Sequence, residues 1–214
     1  MLLLKYRASR IAELFALLEQ GERIAHDAAQ QQARLAILQG MPQYAGFFRQ
    51  QARHENFHAY VFHKASRWLN SKHHHKPNPQ LAKIQDAIVA SLESRHLGES
   101  VLGVQIVLES IGNRVLNGID CRMRQHRLGL NTIRKTILAQ ETAHHQFGHE
   151  NLSTLIQRQA WQDAKINRLG SQYQELVYDL FNATAGLFES LDADIEVYKA
   201  GIRAELAGHM EDIT

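Results

Sequence analysis

The chain has 214 residues, 44% of them hydrophobic, enough apolar material to bury a substantial core as one domain. Its 24 basic and 22 acidic residues are scattered and leave a formal charge of +2, so a dedicated nucleic-acid surface is not expected. Cys121 is the only cysteine, which excludes a disulfide framework, a cysteine-based zinc site and a rubredoxin-type iron centre made within this chain, and makes the cytoplasm the expected compartment.

The apolar start Met1-Leu2-Leu3-Leu4 is interrupted by Lys5 and Arg7 before a secretory or membrane-spanning segment is complete. Apolar residues then recur at three- and four-residue steps, without runs of alternating β-branched residues, so the predicted class is all-α. A first helix is expected over about Ser9 to Gln39, with Ile11, Phe15, Leu18, Glu22, Ala25, Ala29, Ala33 and Ala36 on one face. Gly40-Met41-Pro42 stops it. A second, from about Gln43 to Asn70, carries Phe48, Gln51, Glu55, His58, Phe62, Ala65 and Leu69 on one stripe.

A long connection follows. Lys72-His73-His74-His75-Lys76 reads as a solvated loop, and Asn78 and Pro79 are suited to be N-cap and first residue of a helix ending near Leu97-Gly98. The third bundle helix has Leu102, Ile106, Glu109, Asn113 and Leu116 in register; the fourth has Ile133, Ile137, Glu141, His144, Gly148, Leu152 and Leu155. Beyond it come a break at Gly170, a capping-box pattern from Ser171 to Gln174, and a helical pattern from Leu176 to Tyr198. Residues 1–157 are thus expected to form the bundle. Residues 158–214 would be a helical extension of the same domain, covering the bundle or forming a subunit interface.

Each of the four stripes carries a charged residue where packing alone would favour leucine. With 14 Glu and 13 His in the chain, about one Glu-x-x-His would arise by chance. Three occur, Glu55/His58, Glu93/His96 and Glu141/His144. Only the first and last follow a lone upstream glutamate at matched spacing: 33 residues after Glu22 and 32 after Glu109. Tyr60 stands at the corresponding place before Glu93.

Antiparallel neighbours hold such residues at one height only if the turn lies midway between them. The two midpoints fall near residues 39 and 126, at Gly40-Met41-Pro42 and at the segment from His126 to Asn131. The second requires the third helix to cross Asn117-Gly118 and reach about Gln125, at a cost of about 1 kcal/mol for the interior glycine.

Residues at i and i+3 project from one helix face, so each Glu-x-x-His can offer a carboxylate and an imidazole to one ion. The expected metal ligands are Glu22, Glu55, His58, Glu109, Glu141 and His144, with Glu22 and Glu109 terminal and Glu55 and Glu141 bridging. Ala25 and Gly112, three residues after the lone glutamates, leave room beside the site. His26 and Asn113 are candidates to orient ligands, and His145 is an alternative to His144. His54, His63 and His149 are expected at the periphery, and Glu19 is the rival to Glu22. Phe15, Phe48, Tyr60 and Phe62 are candidates to line an apolar cavity, or are simply core.

The order Glu22, Glu55-Asn56-Phe57-His58, Glu109, Glu141-Thr142-Ala143-His144 resembles that of the ferritin-like di-iron carboxylate superfamily over about residues 9 to 157. The resemblance implies a ferritin-like four-helix bundle with a long crossover between helices two and three, two iron ions (manganese being the alternative), and oxygen chemistry. The expected function is a non-haem di-iron oxidoreductase, an oxygenase or hydroxylase using dioxygen on a small organic substrate. Electrons would come from an external donor, since the chain lacks a cysteine-held iron centre. No membrane or nucleic-acid partner is expected, a homodimer is open, and no catalytic residue beyond the metal centre can be named. The rivals are a ferroxidase or iron-storage protein, a dimanganese catalase, and a helical interaction module without metal.

Overall fold

The computed structural model describes residues 2–70, 76–125, 131–158, 163–189 and 193–211, and among these residues there are helices and connections and no strand. Helix α1 (Leu2–Leu38) and helix α2 (Pro42–Leu69) form the first hairpin. Gly40, at φ 70°, closes α1 in a Schellman turn: its N–H bonds to the Ile37 carbonyl (3.1 Å) and that of Met41 to Ala36 (2.8 Å). Pro42 then opens α2, where its missing N–H costs nothing. The hairpin keeps one antiparallel register along its length. Asn70 reaches Ser9 (3.3 Å), Ser66 the Ala12 carbonyl (2.8 Å) and His26 the Ala52 carbonyl (2.6 Å).

The crossover contains α3 (Pro79–Glu93), capped as expected by Asn78, whose Oδ1 accepts from the N–H groups of Gln80 (2.9 Å) and Leu81 (3.1 Å). Its end differs from the sequence expectation. The helix stops at Glu93, and Leu97-Gly98 begins the next helix instead of ending this one. The stop is a second Schellman turn, with His96 N–H on the Ser91 carbonyl (2.9 Å) and Arg95 on Leu92 (3.0 Å). Arg95 takes the left-handed position at φ 58°, where glycine is the usual signal, so the sequence carried no mark of it.

The third bundle helix is continuous from α4 (Leu97–Val101) through a π-helical stretch (Leu102–Leu108) into α5 (Glu109–Gln125). It crosses Asn117-Gly118 without interruption, as the midpoint argument requires. The turn at 126–130 lies outside the described residues, as do positions 72–75 of the His-rich tract. Helix α6 (Asn131–Arg158) is the fourth. Gly148 of α6 lets the π stretch approach: a Cβ there would fall 2.8 Å from Gln105 Cβ and 2.8 Å from Ile106 Cδ1. Extra residues of this kind in a helix are often found at functional sites, and here the π stretch ends immediately before Glu109.

Helices α7 (Asp163–Ala183), α8 (Ala185–Glu189) and α9 (Ile195–Glu211) follow. Helix α7 passes through Gly170 and Ser171, so the expected break and capping box are absent; packing of Tyr173, Val177 and Leu180 against the core outweighs the modest cost of one glycine. One hydrophobic cluster runs from Leu14 of α1 to Leu206 of α9, so the C-terminal helices share the bundle's core. No helix among the described residues is long and apolar enough to cross a membrane.

Candidate metal centre

Six side chains on four helices meet at one level of the bundle: Glu22 from α1, Glu55 and His58 from α2, Glu109 at the start of α5, and Glu141 and His144 from α6. All are buried, Glu55 and His58 with no exposure at all. Potential donor atoms of Glu22, Glu55, His58 and Glu141 lie within 4.8 Å of one another, as do those of Glu55, Glu109 and His144. Glu55 belongs to both groups and stands between them. Each histidine faces the glutamate of the other pair, with His58 Nδ1 2.8 Å from Glu141 Oε1 and His144 Nδ1 3.0 Å from Glu55 Oε1.

Several of these contacts are not hydrogen bonds. Both oxygens of Glu55, Oε1 of Glu141 and the Nδ1 atoms of His58 and His144 are buried without a hydrogen-bond partner. The opposite edges of the rings are satisfied. His58 Nε2 donates to Gln140 Oε1 (2.8 Å), which leaves Nδ1, the atom aimed at the carboxylates, to carry either a proton or a metal ion. His144 Nε2 meets His54 Nδ1 at 3.0 Å, and burial together with His144 lowers the His54 pKa, which keeps His54 neutral. Lone pairs facing anions in a dry interior repel unless a cation or proton lies between them.

In the metal-free protein protons take that role. Burial alone would lower both imidazoles, yet the surrounding carboxylates outweigh it. They drive His58 strongly upward, and Glu109 and Glu55 push His144 to about 10. Burial, then repulsion from Glu109, lifts Glu141 to about 7; burial and Glu141 raise Glu22 as well. Glu55, between both imidazoles, is instead drawn below its usual value against its own desolvation. Four carboxylates and two neutral imidazoles carry four negative charges, which two divalent cations would balance. The donor set is rich in oxygen and includes two imidazoles, so the residues fit iron or manganese.

A narrow apolar cavity of about 40 Å³ adjoins the cluster, touching Glu22, Glu109 and Glu141. Ala25 and Gly112 help line it, in keeping with the room expected at those positions, and Gly21 adds more. Its far wall is Leu180, Phe181 and Phe188, so the C-terminal helices, in which the sequence revealed no chemistry, complete the chamber. The expected aromatic residues do not line it. Phe15 stacks on Phe62 (centroids 5.9 Å), Phe48 packs against Phe147, and Tyr60 is exposed.

The other candidates separate cleanly. Glu19 pairs with Arg23 and His63 and stays outside the cluster. His26 bonds to the Ala52 carbonyl and Gln30, and Asn113 to Thr142, so neither orients a clustered residue. His145 turns away from His144's neighbours to Glu205, where His149 joins it. Three residues support the cluster in ways the sequence did not indicate: His54, expected at the periphery, Gln51 on the second helix's stripe, and Gln140. Gln51 donates to Glu109 Oε1 (2.7 Å) and accepts from Gln105 (2.8 Å), which in turn exchanges bonds with Gln32. A glutamine one helical turn before Glu55, on the stripe that also carries His58, was the available signal; Gln140 had none.

No protein-family model and no curated protein sequence matches the chain. Among solved structures it is similar to a Synechococcus protein with aldehyde deformylating oxidase activity, at 15% identity and a TM-score of 0.67, covering 96% of this chain and 91% of that one. The likeness establishes the fold: all-α, a ferritin-like four-helix bundle with a crossover helix and additional C-terminal helices.

Proposed function

We propose that Glu22, Glu55, His58, Glu109, Glu141 and His144 hold two iron ions and that the protein is a non-haem di-iron oxidoreductase using dioxygen on a small, largely apolar substrate. The observation that carries this is the set of buried, unpartnered Nδ1 and carboxylate atoms gathered beside an apolar chamber. A reduced two-iron centre would supply electrons to dioxygen. The chain's own residues would do the rest. Gln140 and His54 hold the two rings with Nδ1 inward, Gln51 fixes Glu109, and the walls of Leu18, Leu108, Leu180 and Phe181 exclude water.

The chamber has room for about three water-sized molecules, counting roughly 10–15 Å³ for each. That suits dioxygen or the reactive end of a slender alkyl group. The activity of the Synechococcus protein makes aldehydes the first substrates to try, slender ones before bulky ones because the chamber is small. The proposal includes an external electron donor and a cytoplasmic setting in which Cys121 stays a thiol.

Anaerobic titration with ferrous iron, followed by oxygen and a series of aldehydes and alkanes, tests the reading. It expects two tightly held irons per chain and oxygen uptake that depends on the organic compound. A protein holding no stoichiometric metal sinks it in favour of a helical interaction module. Uptake that scales with excess ferrous iron, in a large multi-chain shell, would instead mark a ferroxidase.

A further inference from the structure

A second gathering of metal-binding side chains lies on the outer side of α6. His145 and His149 are one turn apart, with ring centroids 4.4 Å apart and edge to face. Both Nε2 atoms turn to one oxygen, Glu205 Oε1 of α9. His149 stands 3.4 Å from it, and His145 makes a closer contact with the same atom. All three donor atoms fall within 4.8 Å of one another.

The other carboxylate oxygen is already employed. Glu205 Oε2 accepts from Ser110 Oγ (2.5 Å) and Arg114 Nη2 (3.2 Å), both from α5. This fixes the carboxylate and leaves Oε1 to the imidazoles, the arrangement by which outer partners orient a metal-binding carboxylate. Although burial would raise it, the His145, Ser110 and Arg114 contacts hold the Glu205 carboxyl down to about 2, so it is ionised. Around a tetrahedral zinc, ligands at about 2.0–2.1 Å stand roughly 3.3 Å from one another, close to the His149–Glu205 separation.

We propose that His145, His149 and Glu205 form a mononuclear site for a borderline divalent cation of the zinc class, separate from the buried cluster, which fastens α9 onto α6. Two imidazoles and one carboxylate are a zinc ligand set with a fourth position left for water. Hard cations such as magnesium and calcium, which favour all-oxygen sites, are poor occupants. The site would join the C-terminal helices to the helix that carries Glu141 and His144.

The test counts zinc on the full-length protein, titrated with zinc chloride against a chromophoric chelator. Wild type is compared with His149→Ala and Glu205→Gln, all checked for helical content by circular dichroism. The expected result is one fewer tight equivalent per chain in each variant, with affinity at that site at least about 100-fold weaker, since even outer partners are worth 10–100-fold. The same loss is expected when His149→Ala is added to a Glu55→Ala/Glu141→Ala background, so the outcome does not depend on what the buried cluster binds. Excess zinc should raise the melting temperature of wild type more than that of either variant. Equal zinc counts in wild type and His149→Ala, with both folded, would overturn the proposal.

Discussion

His144 and His145 are adjacent in sequence, and the structure sends them to unlike surroundings. His144 enters a dry cluster in which its Nδ1 and both oxygens of Glu55 lack hydrogen-bond partners. His145 reaches a nearly buried carboxylate that is already bonded by Ser110 and Arg114. The first region gathers four carboxylates that need protons or metal ions between them; the second already pairs its carboxylate with Arg114 and leaves one oxygen to two imidazoles. Pairing makes the difference, because an unpaired carboxylate costs several kcal/mol in the interior, whereas Glu205, nearly as buried, is matched by Arg114 and Ser110. The inner cluster therefore depends on a cation far more than the outer one.

The harshest way to break the contrast is to remove the carboxylates that the inner ions would share. Glu55→Ala and Glu141→Ala are each expected to abolish stoichiometric metal at the buried cluster, and oxygen uptake with it, while zinc at His145, His149 and Glu205 persists. Metal analysis of the purified variants reads this directly. Two irons retained in both would refute the assignment of the cluster.

The inner cluster was legible in the sequence because helical geometry is periodic: two Glu-x-x-His pairs, two lone glutamates and two midpoint turns constrain six side chains at once. The supporting residues were not equally legible. Gln140 meets His58 across the bundle, a pairing fixed by the relative rotation of α2 and α6, which no spacing within either helix encodes. Glu205 lies 60 residues beyond His145 and meets it only through the packing of α9. The π stretch and the left-handed Arg95 carried no local mark either: the first is buried throughout, and the second is an exposed turn residue whose carbonyl accepts from Gln39 (2.6 Å). The cavity wall needed the same information: Phe181 and Phe188 are apolar residues like any others until α7 and α8 are placed against α1 and α5.

A second variant separates chamber from cluster. Gly21 borders the cavity, and a Cβ there would sit an ordinary 4.0 Å from Leu108, so the backbone tolerates a side chain. Gly21→Leu should fill the space and lower turnover on apolar substrates by about 100-fold, the scale of a misplaced reacting group, while iron content stays at two per chain. Unchanged turnover with the leucine in place would separate the cavity from the reaction.

A smaller effect is expected from the residues that hold the rings. His54→Ala and Gln140→Leu leave all six clustered side chains intact but release the outer edges of His144 and His58. Each should weaken metal binding by about 10–100-fold, measured by chelator competition. Wild-type affinity in both would show that burial alone orients the imidazoles.

The finest comparison is in pH, where the two regions of the metal-free protein respond with opposite sign. Burial raises Glu141 to about 7 from an unfolded value of 4.5, so its contribution to stability is greatest below 4.5 and is lost as pH rises toward 7. Glu205 is held at about 2 against the same reference, so its contribution is present above 4.5 and is lost as pH falls toward 2. Each change amounts to about 1–3 kcal/mol once solvent screening is allowed for. Urea unfolding of the metal-free protein across this range should show Glu141→Gln flattening the upper limb and Glu205→Gln the lower one. Two divalent ions at the inner cluster replace the protons on Glu141, His58 and His144, so loading should erase the upper limb and release more than one proton per chain at pH 7. If the upper limb survives loading, the ions are binding elsewhere; if Glu141→Gln leaves it unchanged in the metal-free protein, Glu141 is not the buried carboxyl that takes up the proton.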